Sequence, residues 1–203
     1  MKKIRSILSA AMLMAGLSLP LSAQAVPGID ITTSIMAGFG MGHIDFGDLP
    51  EPTGNVDLSV SAYGLGVSLK VLMIEAELNL LYHMTEISVE ETEERELYGY
   101  LALPLIGRLE LSPIPLLSCA IGTGIEPRIF VGEHGNTKTD DLYERMTLYL
   151  PLSLKLGASV PGVGLGVTGE VRYSHQLSPH LIEKTGLEDL RVHNTMFFLG
   201  VTF

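Results

Sequence analysis

From Ile31 to Phe203 the apolar side chains recur at every second position, in eight successive stretches. A period of two puts them all on one face of an extended strand, where a helix would require a period of 3.6. A membrane-crossing helix is not an alternative. It needs about 20 apolar residues, and the longest uncharged run after the N-terminal segment, Leu111 to Ile125, is broken by Pro113 and Pro115. With 46% of its residues apolar, the chain either lines a soluble core with these faces or presents them to lipid around a barrel.

The first strand is expected over about Ile31 to Asp45, with Ile31, Ile35, Ala37, Phe39 and Met41 on one face. The second, Val56 to Leu72, carries Tyr63, Leu65, Val67, Leu69 and Val71 on one face, but Val56, Leu58 and Val60 have the opposite phase. That inversion predicts a β-bulge near Ser61, or a stretch standing above the membrane. The third, Ile74 to Ile87, alternates Ile74, Ala76, Leu78, Leu80, Tyr82 and Met84 with Glu75, Glu77, Asn79, Leu81, His83 and Thr85. The fourth, Glu96 to Leu111, contains Pro104, which a strand tolerates at a bulge. Leu116 to Gly132, Tyr143 to Val160, Val163 to Leu177 and Arg191 to Phe203 complete the set. In the last, Phe197, Leu199, Val201 and Phe203 share one parity.

Lys2, Lys3 and Arg5 precede an apolar run from Ile7 to Leu21 and the small-x-small site Ala23-Gln24-Ala25, the organisation of a secretory signal peptide over 1–25. A mature domain over 26–203 is expected, beginning at Val26. Removing 25 of 203 residues leaves 178, the size of one domain. Loss of those three cations takes the formal net charge from −10 to −13, which argues against nucleic acid as a partner and against attraction to anionic phosphate surfaces. Cys119 is the only cysteine, so no intramolecular disulfide forms, and it reads as a small apolar group.

Short links fall near Met73, at Ser112 to Pro115 and at Pro161-Gly162, and longer polar ones at Gly47 to Asn55, Ser88 to Arg95, Glu133 to Asp141 and Ser178 to Leu190. The two kinds alternate strictly. Short periplasmic turns, long outer loops and an even strand number are the plan of an outer-membrane barrel. The expected fold is therefore all-β, an eight-stranded antiparallel up-and-down transmembrane β-barrel in the outer membrane of a Gram-negative bacterium.

The segments Tyr98 to Leu111 (YGYLALPLIGRLEL) and Glu170 to Leu177 (EVRYSHQL), with the terminal Phe203, resemble the small outer-membrane barrel family that includes OmpX and the transmembrane domain of OmpA. The resemblance implies that Phe203, with apolar residues at alternating positions before it, is the signal read by the barrel assembly machinery. It implies surrounding outer-membrane lipid and lipopolysaccharide as partners.

If the apolar parity faces lipid, the interior parity carries Glu75, Glu77, Glu110, Glu126 and Glu170 with Lys70, Arg108, Arg128, Lys155 and Arg172. Acids and bases balance. Eight strands enclose only enough room for side chains, and buried charges persist only when paired. The expectation is a plugged polar interior in a structural or surface-interaction protein, with no catalytic, cofactor or metal site.

Other readings use the same residues. Some small outer-membrane barrels are lipid A deacylases or acyltransferases with Ser and His at the outer rim. Ser174, His175 and Ser178, with Glu183 and Glu188 in the following loop, are the corresponding candidates. The deacylase spacing of Ser two residues after His is absent, because Leu177 stands there. His175, His180 and His193 come close enough in a hairpin to suggest a metal site, though one short of further ligands. A soluble lipocalin-like barrel would put the apolar parity inside, around a small ligand. Acidic loop runs at Glu90-Glu91-Thr92-Glu93-Glu94, Thr139-Asp140-Asp141 and Glu188-Asp189 suit divalent-cation bridging to lipopolysaccharide or a basic protein partner.

Overall fold

A computed structural model describes residues 29–45, 56–89, 94–111, 116–133, 146–160, 165–178 and 191–203. They form β1 (Ile29–Asp45), β2 (Val56–Val71), β3 (Ile74–Val89), β4 (Glu94–Ala102), β5 (Leu105–Glu110), β6 (Leu117–Glu133), β7 (Met146–Val160), β8 (Leu165–Gln176) and β9 (Arg191–Thr202). Every pairing is antiparallel, and β1 joins both β2 and β9, so the sheet closes on itself. Both β4 and β5 lie between β3 and β6 and are two halves of one crossing. The barrel thus has eight crossings. Closure satisfies every ladder within the ring, which a sheet in lipid requires.

The fourth crossing was expected as one strand with Pro104 at a bulge, and it is instead interrupted at Leu103–Pro104 with no slip of register there. Pro104 has no amide proton to give the ladder. The path is nevertheless unbroken. Asn79 N–H donates to the Pro104 carbonyl at 3.0 Å and Leu103 N–H to the Pro127 carbonyl at 3.0 Å. Ala102↔Arg128 and Leu105↔Ile125 keep one register across the gap. The register shift in this region lies between Gly99 and Tyr100.

No bulge occurs near Ser61, because β2 pairs with β1 and β3 without a slip. The inverted phase has another cause. Leu58, Val60 and Ala62 point into the barrel and are buried, while Asp57 and Ser59 are exposed on its outside. This end of β2 stands beyond the apolar band, and its apolar residues fill the lumen instead of facing lipid.

Around the rest of the wall the apolar parity is outward. Phe39, Met41 and Leu199 are each 68% exposed, and Phe197, Val201 and Phe203 are exposed beside them. An exterior so apolar is tolerated by lipid, not by water. Inside, Met36, Val60, Ala62, Leu81, Ala102, Met196 and Phe198 form one buried apolar cluster. Gly38 makes room for it, since a Cβ there would stand 2.6 Å from Phe198 Cδ1. Beside the charged residues expected in the interior, the lumen therefore holds an apolar cluster drawn from β9, β1, β2, β3 and β4.

Candidate functional site

The charged part of the lumen is built by β3, β5, β6, β7 and β8, whose inward positions carry the long side chains. Near the short turns, Lys70 pairs with Glu110 at 2.5 Å. Next, Lys155 Nζ donates to Glu75 Oε1 at 2.8 Å and Glu77 Oε2 at 2.6 Å. Arg108 continues the series, reaching Glu77 at 2.6 Å and Glu170 at 2.9 Å. Arg172 Nε donates to the other Glu170 oxygen at 2.8 Å, and its Nη1 stands 4.0 Å from Glu126. Glu126 accepts from Arg128 Nε at 2.6 Å. The result is a connected chain of alternating sign from Lys155 to Arg128.

Neutral groups complete the coordination. Asn79 donates to Glu77 at 2.7 Å, Ser174 to Glu126 at 3.3 Å, and Arg128 to the Asn194 carbonyl oxygen at 3.3 Å. The Arg128 guanidinium lies 3.8 Å from the Tyr149 ring centre, and Arg172 lies 4.7 Å from that of Phe198. The second contact joins the charged and apolar parts. Gly122 permits the Arg108 stem to cross the lumen, because a Cβ there would lie 2.5 Å from Arg108 Cγ.

The ten charged residues of the inward parity are the members of these ion pairs. Glu77, Arg108, Glu126, Arg128 and Arg172 are at most 2% exposed. Their side chains fill this layer of the lumen. Sequence reasoning did not bring His83, Tyr149, Gln176 or Asn194 into the network, though their parity places each inward. His83 is buried 4.0 Å from Glu126, with no hydrogen-bond partner for either ring nitrogen among the described residues. Gln176 accepts from Tyr149 OH and from the Val192 amide, at 3.0 and 2.7 Å.

The rim candidates fall on different faces. Ser174 is buried inside against Glu126, whereas His175 is outside, its ring stacked on that of His193 with centres 4.3 Å apart. The Ser178 hydroxyl accepts the Leu148 amide proton at 2.8 Å. Ser174 and His175 therefore do not share a surface on which an ester could meet both. His180, Glu183, Glu188 and the acidic loop runs before Glu94 and at 139–141 lie outside the described residues. Among the described residues no group of three His, Cys, Asp or Glu side chains could hold a metal ion. His43 was not foreseen as a neighbour of this pair; it sits directly opposite His193 across the β1–β9 seam.

Phe203 is 45% exposed on the outer wall, and its backbone exchanges two hydrogen bonds with Thr33, at 2.9 and 3.2 Å. Phe203 thus takes part in closing the ring.

No family model and no curated protein matches the chain. Solved structures do. Neisserial surface protein A superposes with a TM-score of 0.57 at 8% identity, covering 86% of this chain and 97% of that one. The outer membrane protein OprG from Pseudomonas aeruginosa gives 0.50 at 11% identity, over 86% and 94%. The fold is that of the small outer-membrane β-barrels. At these identities the likeness is one of architecture alone.

Proposed function

We propose that the chain is an outer-membrane β-barrel protein of a Gram-negative bacterium, exported by the signal peptide of residues 1–25, whose sealed lumen suits a structural or surface-interaction role. The observation that carries the second half is the Lys155 to Arg128 chain of ion pairs crossing the interior with its central members inaccessible to water. Opening a passage would separate several buried pairs at once, each at a cost of several kcal/mol. The outward apolar wall supports the membrane placement. A ligand-binding soluble barrel has the reverse arrangement, which Phe39, Met41 and Leu199 oppose. Lipid and lipopolysaccharide are the partners such a wall suits, and Phe203 is the residue we assign to recognition by the assembly machinery.

Planar-bilayer recordings test the sealed lumen. The purified protein, folded as judged by altered gel migration without heating, is expected to give no steady conductance of porin size. A stable open channel of that size would overturn the assignment.

A further inference from the structure

Three histidines stand in a row on the outside of the barrel, one from each of three adjacent strands. His43 of β1 lies opposite His193 of β9, and His175 of β8 stacks on His193 at an interplanar angle of 11°. His43 and His193 sit one outward position or more beyond Met41 and Phe197, the last large outward apolar groups of their strands, and His175 lies between the outward Tyr173 and Leu177 near the end of β8. That height is where a bilayer's hydrocarbon gives way to its headgroups. A hydrogen bond orders the central ring: the Gln176 amide N–H donates to His193 Nδ1 at 3.1 Å. In neutral His193 the proton therefore resides on Nε2, which leaves that nitrogen as a donor.

We propose that this imidazole row is a binding site for the phosphate of an anionic outer-leaflet glycolipid headgroup, engaged as the pH falls. The inference rests on the outer-membrane placement argued above. His193 contributes an N–H donor, and His43 and His175, which are more exposed, contribute charge when protonated. The neighbours decide the direction. Asp45 lies beyond His43 and opposite Arg191, Asp57 is one step past the Gly42↔Leu58 pair on β2, and Tyr173 and Leu150 border His175. With neutral imidazoles the two aspartates and one arginine leave the strip at −1, and protonating His43 and His175 takes it to +1. Acidification is what charges an imidazole. A phosphate held in a membrane is repelled by the strip while its imidazoles are neutral and attracted once the exposed pair carries charge.

The test uses the protein purified from membranes and placed in phosphatidylcholine nanodiscs. The discs contain either bis-phosphorylated lipid A or its dephosphorylated form, and retained lipid is counted by native mass spectrometry. At pH 5.5 the protein should retain the phosphorylated form about threefold or more over the other, the scale of two partly exposed ion pairs. The preference should vanish at pH 8. The double variant His43→Gln, His175→Gln keeps the hydrogen-bonded His193 and should show no preference at either pH. Its folding is checked by gel migration without heating. Equal retention of the two lipids at pH 5.5, or an undiminished preference in the folded variant, would overturn the site. Failure of the native protein to enter nanodiscs would instead overturn the membrane placement, and this site with it.

Discussion

Glu126 is completely buried, and Arg128, two positions along the same inward face of β6, supplies its charge partner. Removing that partner leaves a carboxylate in a low-dielectric interior. Arg128→Ala is therefore expected to destabilise the folded barrel by about 3–5 kcal/mol. Urea unfolding in lipid vesicles measures it, and a loss under about 1 kcal/mol would contradict complete burial of the pair. The double variant Glu126→Leu, Arg128→Met should recover most of the loss, since it removes both charges and refills the space. Parity placed both residues inward in the sequence, without showing that they pair. Arg108 and Glu170 are 62 positions apart, and their meeting depends on how far each strand is staggered around the ring. Parity assigns a residue to a face, but carries no information about stagger. His43 escaped notice for a related reason, as it reaches His193 only through closure between the first and last strands.

At the scale of elements, alternation located all eight crossings because each strand of a barrel wall faces two different solvents. The inverted phase of β2 left two explanations open, a bulge or a stretch standing above the membrane, and the unslipped pairing removes the first. The inward Leu58, Val60 and Ala62 of β2 have the pattern of an ordinary water-exposed wall, and the sequence alone does not mark the height at which lipid ends. Pro104 was visible, but its consequence depended on carbonyls supplied by Pro104 itself and by Pro127 to neighbouring strands. The final strand separates two roles at Phe203. Its backbone pairs with Thr33, whereas the proposed address lies in its ring. Phe203→Ser retains the backbone closure and removes the ring, so it should accumulate in the periplasm and be degraded, while Phe203→Tyr should assemble. Fractionation with immunoblotting reads the outcome, and a normal outer-membrane yield of Phe203→Ser would refute the address.

The whole molecule is organised by one inversion: apolar outside, charged and filled inside. The wall gains its stability from lipid and from the unbroken ring of ladders, while the lumen's paired charges fix how the strands face one another. Both statements depend on which parity meets lipid. The chain contains no tryptophan, so a single introduced indole reports its own surroundings. Phe197 is 45% exposed on the outer wall and Phe198, its neighbour in sequence, is 3% exposed within the lumen. Phe197→Trp and Phe198→Trp, folded separately into vesicles with brominated acyl chains, place the reporter on either side of the wall. Strong quenching is expected at position 197 and little at 198; equal quenching, or the reverse order, would contradict an outward Phe197 and an inward Phe198.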